Sequence, residues 1–293
     1  MKNIKVVLDW FANTNHTGYF VAIEKGYYKT AGLDVQVYGK VHGEMTVGDA
    51  DIVVSPQPTL MEGMENGEQI TAVAVQAQRG DSGILSLKKA GITRPADLTG
   101  KRLTHWKPEW FHRVVGKAVN DDGGDYSKVQ LVQMDVGDIE SVLAGGVADA
   151  VWIYKNWEYY VMKYAGYDLN YFAFVDYGPV YNFCAPGVTA KHRLIDEDPQ
   201  VLRDFLGATE RGYVDAANDP DGSAAILMKY MEGDWNPDMV RESQRYISPY
   251  YLDEEGRWGR IQPERWEVFA DWMVEQGLVA GRMEREYTNE FLR

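Results

Sequence analysis

Ile4-Lys5-Val6-Val7-Leu8 runs straight into Asp9-Trp10-Phe11-Ala12-Asn13-Thr14-Asn15-His16, and the change of character between the two stretches decides the fold. The first five residues are β-branched and mostly apolar, the pattern of a short buried strand. The next eight mix polar and aromatic side chains, which suits a loop. From Gly18 to Lys25, Phe20, Val21 and Ile23 predict a helix, and Gly26 stands where a C-cap belongs. Leu33–Val37 then alternates as a second strand.

Working outward, the same order recurs. Asp51-Ile52-Val53-Val54 reads as a buried strand, Ser55-Pro56-Gln57-Pro58 as a turn, Thr59–Asn66 as a helix and Ile70–Val75 as a strand. Strands alternating with helices predict βαβ units and an open α/β sheet, with ligand at the C-terminal ends of the strands. Gly48-Asp49-Ala50-Asp51-Ile52-Val53 is echoed by Gly146-Val147-Ala148-Asp149-Ala150-Val151. Each is a glycine turn and an aspartate leading into an apolar strand, so two lobes on one plan are expected. Between the echoes lie a turn and strand over Leu98–Thr104, a helix near Phe111–Val119, a strand at Val129–Val132 and a helix at Ile139–Leu143. The C-terminal third is helical: Pro199 opens a helix, at a position suited to the first turn, and Pro220, Pro237 and Pro263 punctuate three more. In the last, Arg265–Gln276, the spacing of Trp266, Phe269, Trp272 and Met273 marks a core-facing stripe.

A chain of 293 residues is long enough for two domains. A net charge of -14, from 30 Lys+Arg against 44 Asp+Glu, argues against nucleic acid or an anionic membrane as partner. The single cysteine, Cys184, allows neither an internal disulfide framework nor a cysteine-rich metal site. No run approaches the ~18–20 apolar residues of a membrane span. Met-Lys-Asn-Ile-Lys leads into a strand with no apolar signal region. An extracytoplasmic protein is therefore expected if a leader has been removed, and a cytoplasmic one stays open.

Catalytic templates are missing. There is no Gly-x-Ser-x-Gly elbow, no Gly-x-x-x-x-Gly-Lys loop, no His-Glu-x-x-His helix and no dinucleotide fingerprint after the first strand. His16, His42, His105, His112 and His192 show no zinc-site spacing. What remains is a set of aromatic, amide and carboxylate residues at predicted strand ends. Asp9, Trp10, Asn13, Asn15 and His16 follow the first strand, Gln57 the third, and Trp106 the Leu103 strand. Trp152, Tyr154, Asn156, Trp157 and Glu158 follow Ala150-Val151, and Asp176, Tyr177 and Tyr181 follow the Phe172–Phe174 run. Indole and phenol faces stack on a planar ring, while carboxylates and amides pair with ring nitrogens and exocyclic amines. The residues by themselves point to capture of a flat heterocycle.

Leu8–Gly18, followed by Ala22-Ile23-Glu24-Lys25-Gly26-Tyr27-Tyr28-Lys29-Thr30-Ala31-Gly32-Leu33-Asp34-Val35, resembles the opening of the thiamine-pyrimidine-precursor family of solute-binding proteins. These are ABC-importer components, akin to sulfonate and nitrate binders and to the thiamine pyrimidine synthase. Ile153–Glu158, Thr209–Tyr213, Pro249–Asp253, Pro263–Trp266 and Thr288–Leu292 carry the resemblance to the C-terminus.

The resemblance implies a two-lobed periplasmic-binding-protein fold of type II, each lobe a mainly parallel sheet flanked by helices. Two hinge crossings, near Gln78–Leu85 and Tyr181–Val188, would give one lobe of 1–80 plus 186–293 and another of 81–185. It implies that the Asp9–Asn15 loop and the Asn156-Trp157-Glu158 segment clamp a formylaminopyrimidine or hydroxymethylpyrimidine across the cleft. Trp10 would be a stacking wall, Tyr154 or Trp106 a second, and Glu158 and Asn13 would read the aminopyrimidine edge. A membrane permease as partner, a monomer, and no cofactor are implied as well. Relatives that bind riboflavin keep another flat ring open.

Two departures bear on this. The enzyme branch carries Lys and His just after the strand that here reads Asp51–Val54, where this chain has Ser55 and Thr59. A Schiff base with pyridoxal phosphate needs an amine, so synthase activity is not expected. The stretch Tyr38–Asp49, with Val41-His42-Gly43-Glu44, is also shorter than the family pattern, which bears on which ring is bound.

Overall fold

The computed structural model describes residues 1–39, 47–105, 109–134 and 138–292. The chain forms two compact units, Met1–Arg79 with Phe183–Arg293, and Gly80–Asn182. Its strands in chain order are β1 (Lys2–Val7), β2 (Leu33–Tyr38), β3 (Ile52–Ser55), β4 (Ile70–Val75), β5 (Ser82–Leu87), β6 (Arg102–His105), β7 (Gln130–Gln133), β8 (Ala150–Tyr154), β9 (Leu169–Ala173) and β10 (Gly187–Lys191).

The larger unit carries the sheet β2-β1-β3-β10-β4. β1 lies parallel to β2 and β3, and β10 runs antiparallel to both β3 and β4. Four strands thus share one direction and β10 opposes them. The smaller unit repeats the plan as β7-β6-β8-β5-β9, with β5 the reversed strand between β8 and β9. Both sheets are mixed and flanked by helices, the periplasmic-binding-protein architecture that the family resemblance implies.

The echo has a physical basis. β3 and β8 each stand third in their sheets. Asp51 takes the Lys5 N–H of β1 on its carboxylate at 3.0 Å and donates its own N–H to the Lys5 carbonyl. Asp149 does the same with Arg102 of β6, at 2.9 Å in both directions. Each aspartate takes up a donor of the neighbouring strand just before the parallel pairing begins.

Helix Thr17–Glu24 crosses helix Pro199–Asn218 at two glycines. A Cβ on Gly212 would stand 2.0 Å from the Gly18 carbonyl oxygen, and one on Gly18 would stand 2.1 Å from the Tyr213 ring. The stripe on helix Pro263–Glu275 is core as expected: Trp266, Phe269, Trp272 and Met273 are buried.

Two local readings differ. Gln57 is not in a turn but opens helix Gln57–Glu65, because extended Pro56 caps it and Pro58 falls in a first turn that needs no N–H. β5 and β10 show no strand pattern in the sequence because serine, glycine and threonine dilute their apolar count, although β5 is buried along its whole length. Gly83 has no room for a side chain: a Cβ would meet the Phe172 carbonyl oxygen at 2.1 Å. Within the stretch Gln78–Leu85 the division between the two units falls after Arg79, and β5 begins at Ser82. The segment 40–46 and Trp106 lie outside the described residues.

Candidate functional site

In the larger unit, five expected residues share the loop that leaves β1. His16 is fully buried, and its Nδ1 accepts the Asn13 N–H at 3.3 Å. Its ring proton is therefore on Nε2, which donates to Asp9 Oδ1 at 2.9 Å. Asn13 is committed to the loop itself: its Oδ1 accepts the Asn15 N–H at 2.9 Å and its Nδ2 donates to the Phe11 carbonyl at 3.1 Å.

The C-terminal helices pin this loop from below. Tyr213 Oη donates to the Asn15 carbonyl at 2.7 Å, and Tyr251 Oη donates to the Thr14 carbonyl. The Thr14 hydroxyl shares a bond with Ser243, and Thr17 donates to Gln244 Oε1 at 2.6 Å. Tyr213 is stacked on Trp258 at 4.8 Å and 9°, so the pins are themselves rigid. Buried polar groups that are all paired specify one geometry. The outcome is a half-exposed Asp9 carboxylate and a half-buried Trp10 indole at the C-terminal end of β1. Asp9 Oδ2 takes no hydrogen bond among the described residues.

Aromatic surface continues past Trp10. The Phe11 ring lies 5.8 Å from Trp10 at 49°, and Trp235 stacks on Phe11 at 5.8 Å and 15°. Sequence reasoning missed Trp235, which sits in a turn between helices far along the chain. Gln57 is turned inward: its Oε1 accepts the Cys184 N–H at 3.1 Å and its Nε2 donates to the Trp266 carbonyl at 2.9 Å. It is almost wholly buried, and its amide is engaged in holding the interior.

In the smaller unit, Tyr154, Asn156, Trp157 and Glu158 come together where β8 ends. Lys155–Tyr159 forms one π-helical turn, a form common at functional sites. Glu158 Oε2 accepts the Tyr154 N–H at 3.2 Å, closing the turn on the strand. Asn156 and Trp157 are buried, while Tyr154 and Glu158 are half-exposed. The Lys155 ammonium lies over the Tyr159 and Tyr171 rings at 5.3 and 5.2 Å. Tyr177 stands apart, over one third exposed, with its ring edge-on to Phe172 at 5.7 Å.

The His105 and His112 rings are 4.8 Å apart, and His112 Nδ1 shares a 3.0 Å hydrogen bond with Tyr126. Burial, then the charge of His105, holds His112 below the usual imidazole range. No group of three or more His, Cys, Asp or Glu among the described residues could hold a metal ion. Nor is any described helix long and apolar enough to cross a membrane.

Comparison with known proteins adds the following. The family profile described as NMT1/THI5 like matches residues 13–223. The formylaminopyrimidine-binding protein of Halalkalibacterium halodurans is 29% identical over 96% of this chain and 88% of its own length. The riboflavin-binding protein RibY of Chloroflexus aurantiacus is 21% identical over 100% of this chain and 86% of its own. A 4-amino-5-hydroxymethyl-2-methylpyrimidine phosphate synthase of Legionella pneumophila is 20% identical over 76% of this chain and 72% of its own. Among solved structures, the alkanesulfonate-binding protein SsuA from Xanthomonas axonopodis pv. citri superposes with a TM-score of 0.73 at 15% identity, covering 95% of this chain and 94% of its own.

Proposed function

Since the chain belongs to the NMT1/THI5-like family, we propose that it is a solute-binding protein that captures a thiamine-type aminopyrimidine, formylaminopyrimidine or hydroxymethylpyrimidine, for an ABC permease. The observation that carries this reading is the Asp9 carboxylate, fixed by the buried His16 ring beside the Trp10 indole. An aminopyrimidine offers an N–H edge for a carboxylate and a flat face for an indole, and both partners here are held before ligand arrives. Preorganised groups bind without the cost of ordering them.

In this reading the larger unit offers Trp10 as a stacking wall and Asp9 for the amine and ring-nitrogen edge, and the smaller unit offers Tyr154 and Glu158 as a like pair of groups. Asn156 and Trp157 line the turn that presents Glu158. Asn13, Asn15 and His16 hold the loop, and Gln57 does not touch ligand because its amide serves the interior. Ser55 and Thr59 supply no amine for a Schiff base, so the protein binds its ligand and does not make it. It works as a monomer on the outer side of the membrane, where a permease receives the ligand.

The run of rings from Trp10 through Phe11 to Trp235 favours a second reading, capture of a larger flat ring such as riboflavin. Mass spectrometry of ligand released from the purified, denatured protein, with calorimetry on formylaminopyrimidine and riboflavin, separates the two. Binding of neither sinks both readings. A Schiff-base absorbance band on adding pyridoxal phosphate would overturn the non-enzymatic part.

A further inference from the structure

We propose that Asp81 is a positioning residue for ligand capture, one that fixes the turn bearing Asn156, Trp157 and Glu158. Its place in binding rests on the reading above. Asp81 directly precedes β5 and is 6% exposed. A carboxylate buried to that degree is costly unless its oxygens are hydrogen-bonded. Here Oδ2 accepts the Asn156 N–H at 2.9 Å. The Asp81 carbonyl accepts the Lys155 N–H at 3.1 Å and the Tyr171 hydroxyl at 2.6 Å.

The first N–H groups of any helical turn find no partner inside it. In Lys155–Tyr159 one residue covers two of them, main chain for Lys155 and side chain for Asn156. The adjoining pair Ser82↔Tyr154 sets the register of the two strands, one of which Asp81 precedes and the other of which the turn follows. With Glu158 bonded back to the Tyr154 N–H, the turn is held at both ends, and the Asp81 carboxylate controls its rotation about the end of β8. Its effect on ligand passes through the backbone of Asn156.

Hydrogen exchange decides this without any ligand. In Asp81→Ala, amides over Lys155–Tyr159 exchange about tenfold faster, the scale of one lost charge-assisted hydrogen bond, while helix Glu109–Asp121 keeps its protection. Asp81→Asn, whose amide oxygen still accepts, restores the slow exchange. Unchanged exchange in Asp81→Ala, or no rescue by Asn, overturns the proposal.

The second arm is calorimetry with formylaminopyrimidine. Asp81→Ala binds about tenfold more weakly than wild type, yet costs under about twofold once Glu158→Gln is present, because both act through one turn. Losses that simply add overturn the positioning role. Should wild type bind no formylaminopyrimidine, the ligand reading fails, and the exchange result still stands for or against Asp81.

Discussion

The Arg265 guanidinium donates to the Phe183 carbonyl from 3.0 Å, and its other amino group reaches the Ala77 carbonyl at 2.7 Å. Ala77 lies two residues before the end of the first segment of the larger unit and Phe183 opens the second, so one side chain ties together the two segments between which the smaller unit is inserted. Arg265 is buried, and burial holds its guanidinium below its usual range. Arg265→Met removes both of these hydrogen bonds. The expected loss is ~2–4 kcal/mol of unfolding free energy, read from the urea midpoint of the larger unit's transition.

Trp10→Ala and Glu158→Gln are each expected to weaken ligand binding by ~1–3 kcal/mol, the scale of a lost stack or charged hydrogen bond. Neither should shift the melting temperature much, since both side chains are partly exposed. Calorimetry showing unchanged affinity in both would put the ligand elsewhere.

Gln57→Leu should behave in the opposite way. It removes the bonds to Cys184 and Trp266 inside the core, for a cost of ~1–3 kcal/mol. Ligand affinity, measured on the folded protein, is expected to stay within about twofold of wild type. A large affinity loss at full stability would return Gln57 to the ligand-contacting set.

Gly212→Ala tests the helix crossing. Its methyl would stand 2.0 Å from the Gly18 carbonyl oxygen, a backbone atom that cannot swing aside. Forced separation of the two helices should cost ~1–3 kcal/mol or more, seen as a lowered melting temperature. Gly277→Ala is a poor control, since the positive φ there strains any side chain even though nothing lies within 4 Å.

Acid stability should depend on Glu286. Burial pushes its carboxyl up, but Arg282, the Trp266 indole N–H and the Met283 N–H together outweigh that and hold it below the usual carboxylate range. The folded form therefore binds this proton less readily than the unfolded form, whose value is near ~4.3. The stabilisation is complete above that pH and is lost as pH falls through the folded value. Melting temperatures between about pH 5 and 3 should decline less steeply in Glu286→Gln than in wild type; parallel curves would refute the assignment.

Strands with dense β-branched residues were legible in the sequence, as were helices opened by proline and the stripe on helix Pro263–Glu275. The echo was legible too, because Asp51 and Asp149 serve one backbone purpose. β5 and β10 were not, since a central strand owes its place to partners on both sides, which no local pattern displays. For the candidate site, the sequence placed Asp9 and Trp10 on one loop and Tyr154 and Glu158 on one segment. It could not tell a side chain facing solvent from one spent inward, as with Gln57 and Asn13. Nor could it bring Trp235 to Phe11 or Asp81 to Asn156, which meet only through tertiary packing.

The sheet order also constrains how the chain emerges from the ribosome. β4 joins β3 only through β10, which is translated after the whole of Gly80–Asn182. During synthesis the first four strands leave a gap that nothing yet made can fill, whereas the smaller unit is one uninterrupted stretch and can close as soon as β9 is out. Domains fold as units while translation proceeds, so the later-starting unit finishes first. The exposed flanks of β3 and β4 are then the nascent chain's most exposed hazard, and a pause or truncation before Gly187 should leave them open to chaperones or to aggregation.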